Sequence, residues 1–516
     1  MIFRRARIEI GPNSLIMSIM LIMLIGGVAL LGLLPVVIAM ADLVRRPGEA
    51  FSALVDPVFW PRLGTSLLIV LLTLAFMLPL GLVMAWLLVR TNLPARRLGM
   101  MLIPFPLFLP PLVHVLSWFG VVPLSGIPAI VLVYVIAFTP FVVLLSARSM
   151  DQIGRAHAET VQLMGGRRAV LLDDLRHALP SATIGGVLAL VFMVGDFAVA
   201  DFLTSVGPKV TVYADTLYVH HQARRPGAAA ATAVPGILLC LIPLIWALRR
   251  RRQLGATVDP RFEPAEPLAL GGIRWMLLLL IAIYLLIGTA LPLISLSWQA
   301  GSWTTILEQA RGASDRIVFT VLLGAAAATG MVLLALPLML FAQRLRRPWW
   351  LDALIFLPLA VPPLILGVGL IRLWNRPLLD AIYLGPGVLL IALIGRYLAF
   401  AALPIGGSIE RLDRSMLDAA RLAGAGSVGR TAGITLPLIA GTVVSAWCIS
   451  FCFTLRELDT LIMLRAGQRT LPFHLYSNVV FARREEVAAL ALILAGVTIA
   501  PLLLYLAIAR RAIRFL

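Results

Sequence analysis

Six side chains that could do chemistry sit where chemistry is costly. Asp201, Tyr218, Arg456, Glu457, Asp459 and Tyr476 all lie in or beside long apolar runs. An ionisable group in such a run is expensive to keep and defaults to a functional reading. Asp201 shares the segment GDFAVADF with Asp196, and Arg456, Glu457 and Asp459 share LRELD, with Arg396 in the preceding run. Asp201 and Asp459 are 258 positions apart, as are Tyr218 and Tyr476. Asp201 and Asp459 could therefore face one another across an internal axis. Two roles are open for these groups. Either they line a path through the membrane, or Arg456 pairs with an acid and holds the helices together.

Other chemistry is poorly supplied. His220-His221 are adjacent and so diverge, and no Cys or carboxylate cluster completes a metal site around them. His114 sits in an apolar helix and reads as a bundle residue. Cys240, Cys448 and Cys452 lie in apolar segments without C-x-x-C spacing and read as small core residues. The run Gly424 to Gly429, GAGSVG, has the G-x-G-x-x-G spacing of a dinucleotide turn. That turn needs a strand before it, a helix after it and an acid about 20 residues on. Here a helical start from Ser415 to Ala423 precedes, with Ser415 and Asp418 placed as a capping pair, and a spanning run follows. The only lysine, Lys209, stands in VGPKV, so no Walker A loop is present to hold phosphates. No catalytic residue, metal or cofactor is expected.

The elements that must position these groups follow from composition. Of 516 residues, 60% are hydrophobic and 13% charged, and mean hydropathy is +0.98. Soluble domains are about 45–50% apolar and about 25% charged, so this is a membrane protein. The net charge of +18 does not indicate nucleic acid, because the arginines cluster between apolar runs. Twelve runs can span a bilayer: near 15–41, 64–89, 100–120, 127–147, 181–203 and 228–248, then 274–298, 317–342, 351–373, 379–403, 438–464 and 487–509. The third and ninth are interrupted by prolines. The first is about twice a signal-peptide core and reads as an uncleaved span. Basic residues favour one set of loops by about two to one, which places both termini in the cytoplasm. Trp60, Trp118, Trp275, Trp298, Trp303, Trp349 and Trp350 fall near span ends, as an interfacial belt does.

The chain repeats itself. Leu78-Pro79-Leu80 recurs as Leu336-Pro337-Leu338, and Pro106 to Leu112 recurs as Pro358 to Leu364. Six is even, so the two halves keep one orientation and form parallel repeats. The expected fold is an all-α polytopic membrane protein of about twelve helices, divided into a first half (1–248), a polar linker (249–273) and a second half (274–516).

Within the second half, Asp418-Ala419-Ala420, then Gly424, then Ile434-Thr435-Leu436-Pro437 resembles the E-A-A…G…I-x-L-P loop of binding-protein-dependent ABC importer permeases. Asp replaces Glu. Glu159, Gly165 and Leu179-Pro180 form a degenerate first copy without the alanines. The resemblance covers nearly the whole chain and implies the ABC importer permease fold, with coupling loops at 148–180 and 408–437. It implies that Glu159 and Gly165, and Asp418, Ala419, Ala420 and Gly424, dock on two cytoplasmic ABC ATPase subunits. It also implies a periplasmic substrate-binding protein and a bacterial inner membrane. GDFAV and LRELDTLIML are most similar to the ferric-iron branch, with thiamine and small anions such as phosphonates as alternatives. Carboxylates and phenols of Asp201, Glu457, Asp459, Tyr218 and Tyr476 suit a hard trivalent cation. A secondary transporter with two parallel repeats is the rival from another class, and it would need no ATPase.

Overall fold

The computed structural model describes residues 12–122, 124–253, 263, 265–343, 349–479 and 481–514. Of the linker placed at 249–273, residues 254–262 and 264 lie outside them. Long runs of Leu, Ala and Val become helices because a backbone in lipid must satisfy its own polar groups. The first repeat runs α1 (Ile19–Arg45), α2 (Phe59–Arg90), the pair α3 (Arg96–Phe108) and α4 (Pro111–Phe119), α5 (Gly126–Met150), α6 (Arg155–Gly195), the short α7 (Ala198–Val206) and α8 (Tyr213–Gln222), and α9 (Pro226–Arg249). The second runs α10 (Gly271–Gln299), α11 (Ser314–Ala342), the pair α12 (Trp349–Ala360) and α13 (Pro363–Trp374), α14 (Gly387–Glu410), α15 (Arg414–Leu422), α16 (Ser427–Leu455), α17 (Leu471–Asn478) and α18 (Arg484–Leu506). Among the described residues, ten helices are long and apolar enough to cross a membrane. The pairs α3/α4 and α12/α13 bend by 90° and 97°, and counting each as one span gives twelve, six per repeat.

Both bends fall at adjacent prolines, Pro110-Pro111 and Pro362-Pro363. Proline lacks the amide hydrogen and its ring clashes with the preceding turn, so two in a row stop the helix. Large apolar residues such as Ile22, Met23, Leu71, Phe76, Leu322 and Leu333 are exposed, as a lipid-facing wall requires. All the belt tryptophans except the half-buried Trp118 are exposed as well.

The repeats exchange their first helices. α1 packs on α13 and α14 of the second repeat, and α10 packs on α4 and α5 of the first. Each carries a one-turn π-bulge, Ala29–Leu33 in α1 and Leu286–Ala290 in α10, just before a proline. At those bulges a glycine meets a proline of the other repeat. A side chain on Gly32 would collide with Pro358, and a Cβ on Gly288 would lie 2.8 Å from Pro106 Cγ. Pro106 and Pro358 are themselves repeat counterparts, so the exchange is reciprocal. Polar ties follow the same route: Tyr284 Oη donates to Ile136 O (2.8 Å), Ser295 Oγ donates to Ser117 O (2.7 Å), and Arg372 pairs with the buried Asp42.

The described part of the linker lies along the first repeat. Leu268 pairs beside Thr91, with Leu268 N donating to Arg90 O (2.8 Å) and Asn92 N to Leu268 O (3.0 Å). Arg155 N donates to Glu263 O (2.9 Å), which fixes the linker to the start of α6.

The exchange makes the small residues at the bulges structural. Gly32→Val and Gly288→Val are each expected to destabilise the protein by about 1–3 kcal/mol through overpacking. Gly26→Ala, where nothing lies within 4 Å, should not lower stability. Thermal unfolding of the purified protein in detergent measures all three.

Candidate functional site

α6 and α16 both lose their helical path at one level, on the side of the membrane away from α15. α6 ends at Gly195, whose Cβ position is 2.6 Å from Pro363 Cδ, and α16 ends at Leu455. The residues just beyond these ends form a charged layer. Asp196 Oδ1 accepts from Val199 N (3.1 Å) and so caps α7. Glu457 Oε1 accepts from Thr460 N (2.8 Å) and lies 3.8 Å from Arg396 Nε, while Oε2 accepts from the Tyr397 hydroxyl. Asp459 Oδ1 accepts from Phe197 N (3.5 Å), and Asp201 Oδ2 accepts from Tyr476 Oη (2.7 Å).

Asp201 and Asp459 therefore do not meet across the axis. Each is bound instead by a group of the opposite repeat, with Phe197 standing between them. The Phe197 ring centroid is 4.7 Å from Tyr218 and 6.4 Å from Tyr476. Tyr218 Oη accepts from Gln222 Nε2 (2.8 Å) rather than mirroring the Tyr476 contact. A cavity of about 200 Å³ opens beside this group, with Asp201, Ser205, Tyr476 and Ser477 in its wall.

The two arginines serve the proline breaks. Arg456 Nη1 donates to Leu107 O of α3, and Arg396 Nη1 donates to Val361 O (3.4 Å), where α12 gives way to α13. These carbonyls precede a break and lack a helical donor, so a buried guanidinium replaces the missing amide. All six side chains singled out in the sequence thus gather in one region.

Below the charged layer lies a layer of rings that the sequence reading passed over. Phe141 and Phe192 of the first repeat pack against Phe400 and Phe453 of the second, with Phe138 beside the first pair and Tyr397 beside the second. Phe400 and Phe453 are 4.3 Å apart between centroids, Phe192 and Phe453 5.4 Å, and Phe141 and Phe453 6.1 Å. The Arg456 guanidinium caps the layer, 5.3 Å above Phe453 and 5.8 Å above Phe192. The rings fill the space between the repeats. Their signal was the near-constant spacing of 138 with 397 and 141 with 400, hidden because phenylalanine in an apolar run resembles a lipid-facing residue.

At the other end of α6 and α16 are the two short helices read as coupling loops. The cap of α15 is Asp413 and not Ser415: Asp413 Oδ1 accepts from Ser415 N (2.8 Å), and hydrogen bonds from Ser415 hold the carboxyl below its ordinary range. Asp418 consequently sits in the second turn, not the first. Gly424 lies just beyond the helix. It has φ +85°, and Ala425 N donates to Ala420 O (2.9 Å) while Gly424 N donates to Arg421 O (3.0 Å). This is the Schellman closure, which needs a left-handed residue after the helix. In the first copy the left-handed residue is Gly166 (φ 64°), not Gly165. Glu159 and Asp418 are each the fifth residue after their caps, Gly154 and Asp413, so the first copy is one residue longer.

Glu159, Gly165, Asp418, Ala419 and Gly424 are exposed, and Ala420 is half-buried. Glu159 is held by Arg155 at 2.7 Å, which also reaches Glu266 of the linker at 3.1 Å. Several apolar side chains here are strongly exposed: Leu163 (89%), Met164 (84%), Leu422 (90%) and Val428 (79%). Behind the first helix, the buried pair Arg90–Asp174 (3.0 Å), joined by Trp86 Nε1 (3.1 Å), ties α6 to α2. His220 is buried and His221 half-buried on α8, and burial holds both imidazoles below the ordinary histidine range. Among the described residues no group of three His, Cys, Asp or Glu is placed to hold a metal.

Two stretches, 77–250 and 344–514, match the family described as the binding-protein-dependent transport system inner membrane component. Together they cover well over half of the chain, once in each repeat. The chain is 28% identical to the spermidine/putrescine transport system permease protein PotC of Haemophilus influenzae, over 42% of this chain and 85% of that protein. It is 26% identical to the molybdenum transport system permease protein ModB of Escherichia coli, over 39% of this chain and 97% of that protein. A probable molybdenum ABC transporter permease protein of Haloferax volcanii is 27% identical over 30% of this chain, which spans 58% of that relative.

The charged layer predicts an asymmetry between its members. Arg456→Met strips the Leu107 carbonyl and leaves buried carboxylates uncompensated, which costs about 3–5 kcal/mol. Asp201→Asn, half-exposed and still able to accept from Tyr476, should cost less than about 1 kcal/mol. Thermal unfolding of the two variants tests the ranking.

Proposed function

The chain belongs to the binding-protein-dependent transport system inner membrane component family, and from that premise we propose that it forms both membrane halves of an ATP-driven importer for a cation, ferric iron in our reading. The observation that carries the substrate class is the charge of the layer above the rings. Four carboxylates, those of Asp196, Asp201, Glu457 and Asp459, stand there against the guanidiniums of Arg396 and Arg456. Both guanidiniums are already committed to helix-break carbonyls. An excess of acids lowers the energy of a cation and repels an oxyanion. Relatives are named for molybdenum, for 2-aminoethylphosphonate and for spermidine and putrescine, so the family's names alone do not fix the substrate's charge. Carboxylate and phenol oxygens from Asp201, Asp459, Tyr218 and Tyr476 suit a hard cation such as ferric iron.

A second reading is an organic cation, a polyamine or thiamine. It is favoured by the ring set Phe197, Tyr218 and Tyr476, since aromatic faces beside acids attract ammonium groups. The acid excess disfavours a phosphonate.

In this reading a substrate-binding protein delivers its cargo to the face that carries Asp201 and Tyr476. The ring layer is the closed barrier. Two ATPase subunits bind on the other side, one on the start of α6 and one on α15, and both chain ends lie on that side. The exposed Leu163, Met164, Leu422 and Val428 supply the apolar part of the docking surfaces, and an exposed apolar cluster of this kind marks a protein contact. ATP is hydrolysed by the partner. The domain division follows the repeats, with 1–248 and 274–516 as halves joined by 249–273.

Uptake by proteoliposomes holding the chain, its ATPase and its binding protein tests this. Asp201→Asn and Asp459→Asn are each expected to lower ferric-iron uptake by roughly tenfold, the effect of one lost charged contact, with ATPase association unchanged. Uptake that persists in both variants removes the cation path, and a polyamine that competes with iron favours the second reading. Leu163→Asp together with Leu422→Asp should abolish co-purification of the ATPase. Uptake that needs no ATP would instead mean a secondary transporter.

A further inference from the structure

A second cavity lies away from the path, on the side of α15, between α3 of the first repeat and α16 and α18 of the second. Its volume is about 420 Å³ and its wall is almost wholly apolar, with Met101, Phe108, Ile449, Cys452 and Leu502 among its side chains. The axial layers are built by α5, α6, α14 and α16, but no residue of α6 or α14 lines this cavity. Ser445 and Tyr505 hydrogen-bond each other at 2.6 Å across one edge. Its mouth carries Arg97, which is exposed and has no ion-pair partner among the described residues.

The repeat shows what this place does when filled. The counterpart of α3 is α12 and that of α18 is α9, and those two pack along one another. The counterpart of Arg97, at the 252-residue spacing of the proline motifs, is Trp349, and the Arg249 guanidinium covers its ring at 5.2 Å. One groove is thus closed from within by an arginine and a tryptophan of the chain itself. In the other, α18 stands off from α3, the tryptophan is absent, and an unpaired guanidinium sits at the opening.

We infer that this groove is a site for one anionic phospholipid of the leaflet on the α15 side. An acyl chain occupies the cavity and the headgroup phosphate pairs with Arg97. The volume, the apolar wall and the charge of Arg97 match that ligand. An acyl chain needs no hydrogen bonds from the wall, and a guanidinium near a membrane surface draws anionic headgroups. The occupant would bridge the two repeats at the point where direct packing is missing.

Native mass spectrometry of the full-length chain, released from nanodiscs of phosphatidylglycerol or of phosphatidylcholine, reads the site. One retained phosphatidylglycerol is expected, about fivefold more than phosphatidylcholine, the effect of one guanidinium near an anionic lipid. Arg97→Gln should bring the two lipids to equal retention, and Ile449→Trp, which fills the cavity, should reduce both. Equal retention in the unmodified protein, or retention unchanged in both variants, overturns the inference. A second readout does not depend on the variants. Alkylation of Cys448, in the cavity wall, by N-ethylmaleimide should be slower in phosphatidylglycerol than in phosphatidylcholine, with the buried Cys240 of α9 unaffected. Equal rates at Cys448 count against the site.

Discussion

A helix broken inside a membrane leaves carbonyls that no water can reach, and most of this molecule is arranged around answering two such breaks. Pro110-Pro111 and Pro362-Pro363 turn α3/α4 and α12/α13 through about a right angle. The carbonyls freed at Leu107 and Val361 are taken up by Arg456 and Arg396. A buried arginine is tolerable only with acids near it, since an unpaired charge in this setting is strongly destabilising. Glu457 and Asp196 are therefore part of the same solution, and Tyr397 follows because Glu457 needs its hydroxyl. The charged layer is in this sense a consequence of the breaks. What it leaves over, the acids beyond those needed to balance two arginines, is what can act on a substrate.

The reciprocal exchange of α1 and α10 is the second constraint. Gly32 against Pro358 and Gly288 against Pro106 place each first helix on the broken pair of the other repeat. A π-bulge adds one residue to a turn and marks where a helix departs from regular packing for a purpose. Here it brings a glycine to the proline in both copies. The halves are thereby interlocked, and neither buries its own broken pair alone. Any motion that separates the repeats at the ring layer has to carry the exchanged helices with it as parts of the opposite half.

Much of this was legible in the sequence, and the limits are physical. Twelve spans, the interrupted third and ninth, and the two repeats follow from run length and proline spacing, which act locally. The in-membrane charges gathered as a set because only a shared buried site makes them affordable. The exchange was not legible, since hydropathy says that α1 faces something apolar and not which half supplies it. The cap at α15 was misplaced by two residues because Asp413 and Ser415 are both good N-caps and only the backbone decides between them. Gly165 and Gly166 are adjacent, and only the sign of φ shows which one turns the chain. The ring layer was invisible because nothing in a phenylalanine's identity distinguishes the axis from the lipid.

The two short helices proposed to dock on the ATPases share a plan and differ in how they are anchored, and that difference bears on how force would pass from them. The first turns into the body of α6 at Gly166 (φ 64°), is strapped by the linker through Arg155 to Glu263 and Glu266, and is tied back across the turn by His157 to Asp173 (2.7 Å), next to the buried Arg90–Asp174 pair. The second closes on Gly424 and reaches α16 through a π-bulge at Thr431–Thr435, and the position 258 residues after Asp174 is Ala432. A displacement of the first helix is therefore passed through Asp173 and its neighbour Asp174 to α6 and α2 together. A displacement of the second is passed to α16 alone, and α16 carries Arg456 at its far end. Since Arg456 reaches across to Leu107 of the first repeat, the weakly anchored helix is connected to one of the contacts that join the two halves. The asymmetry in anchoring and the asymmetry in the charged layer thus lie on one continuous element.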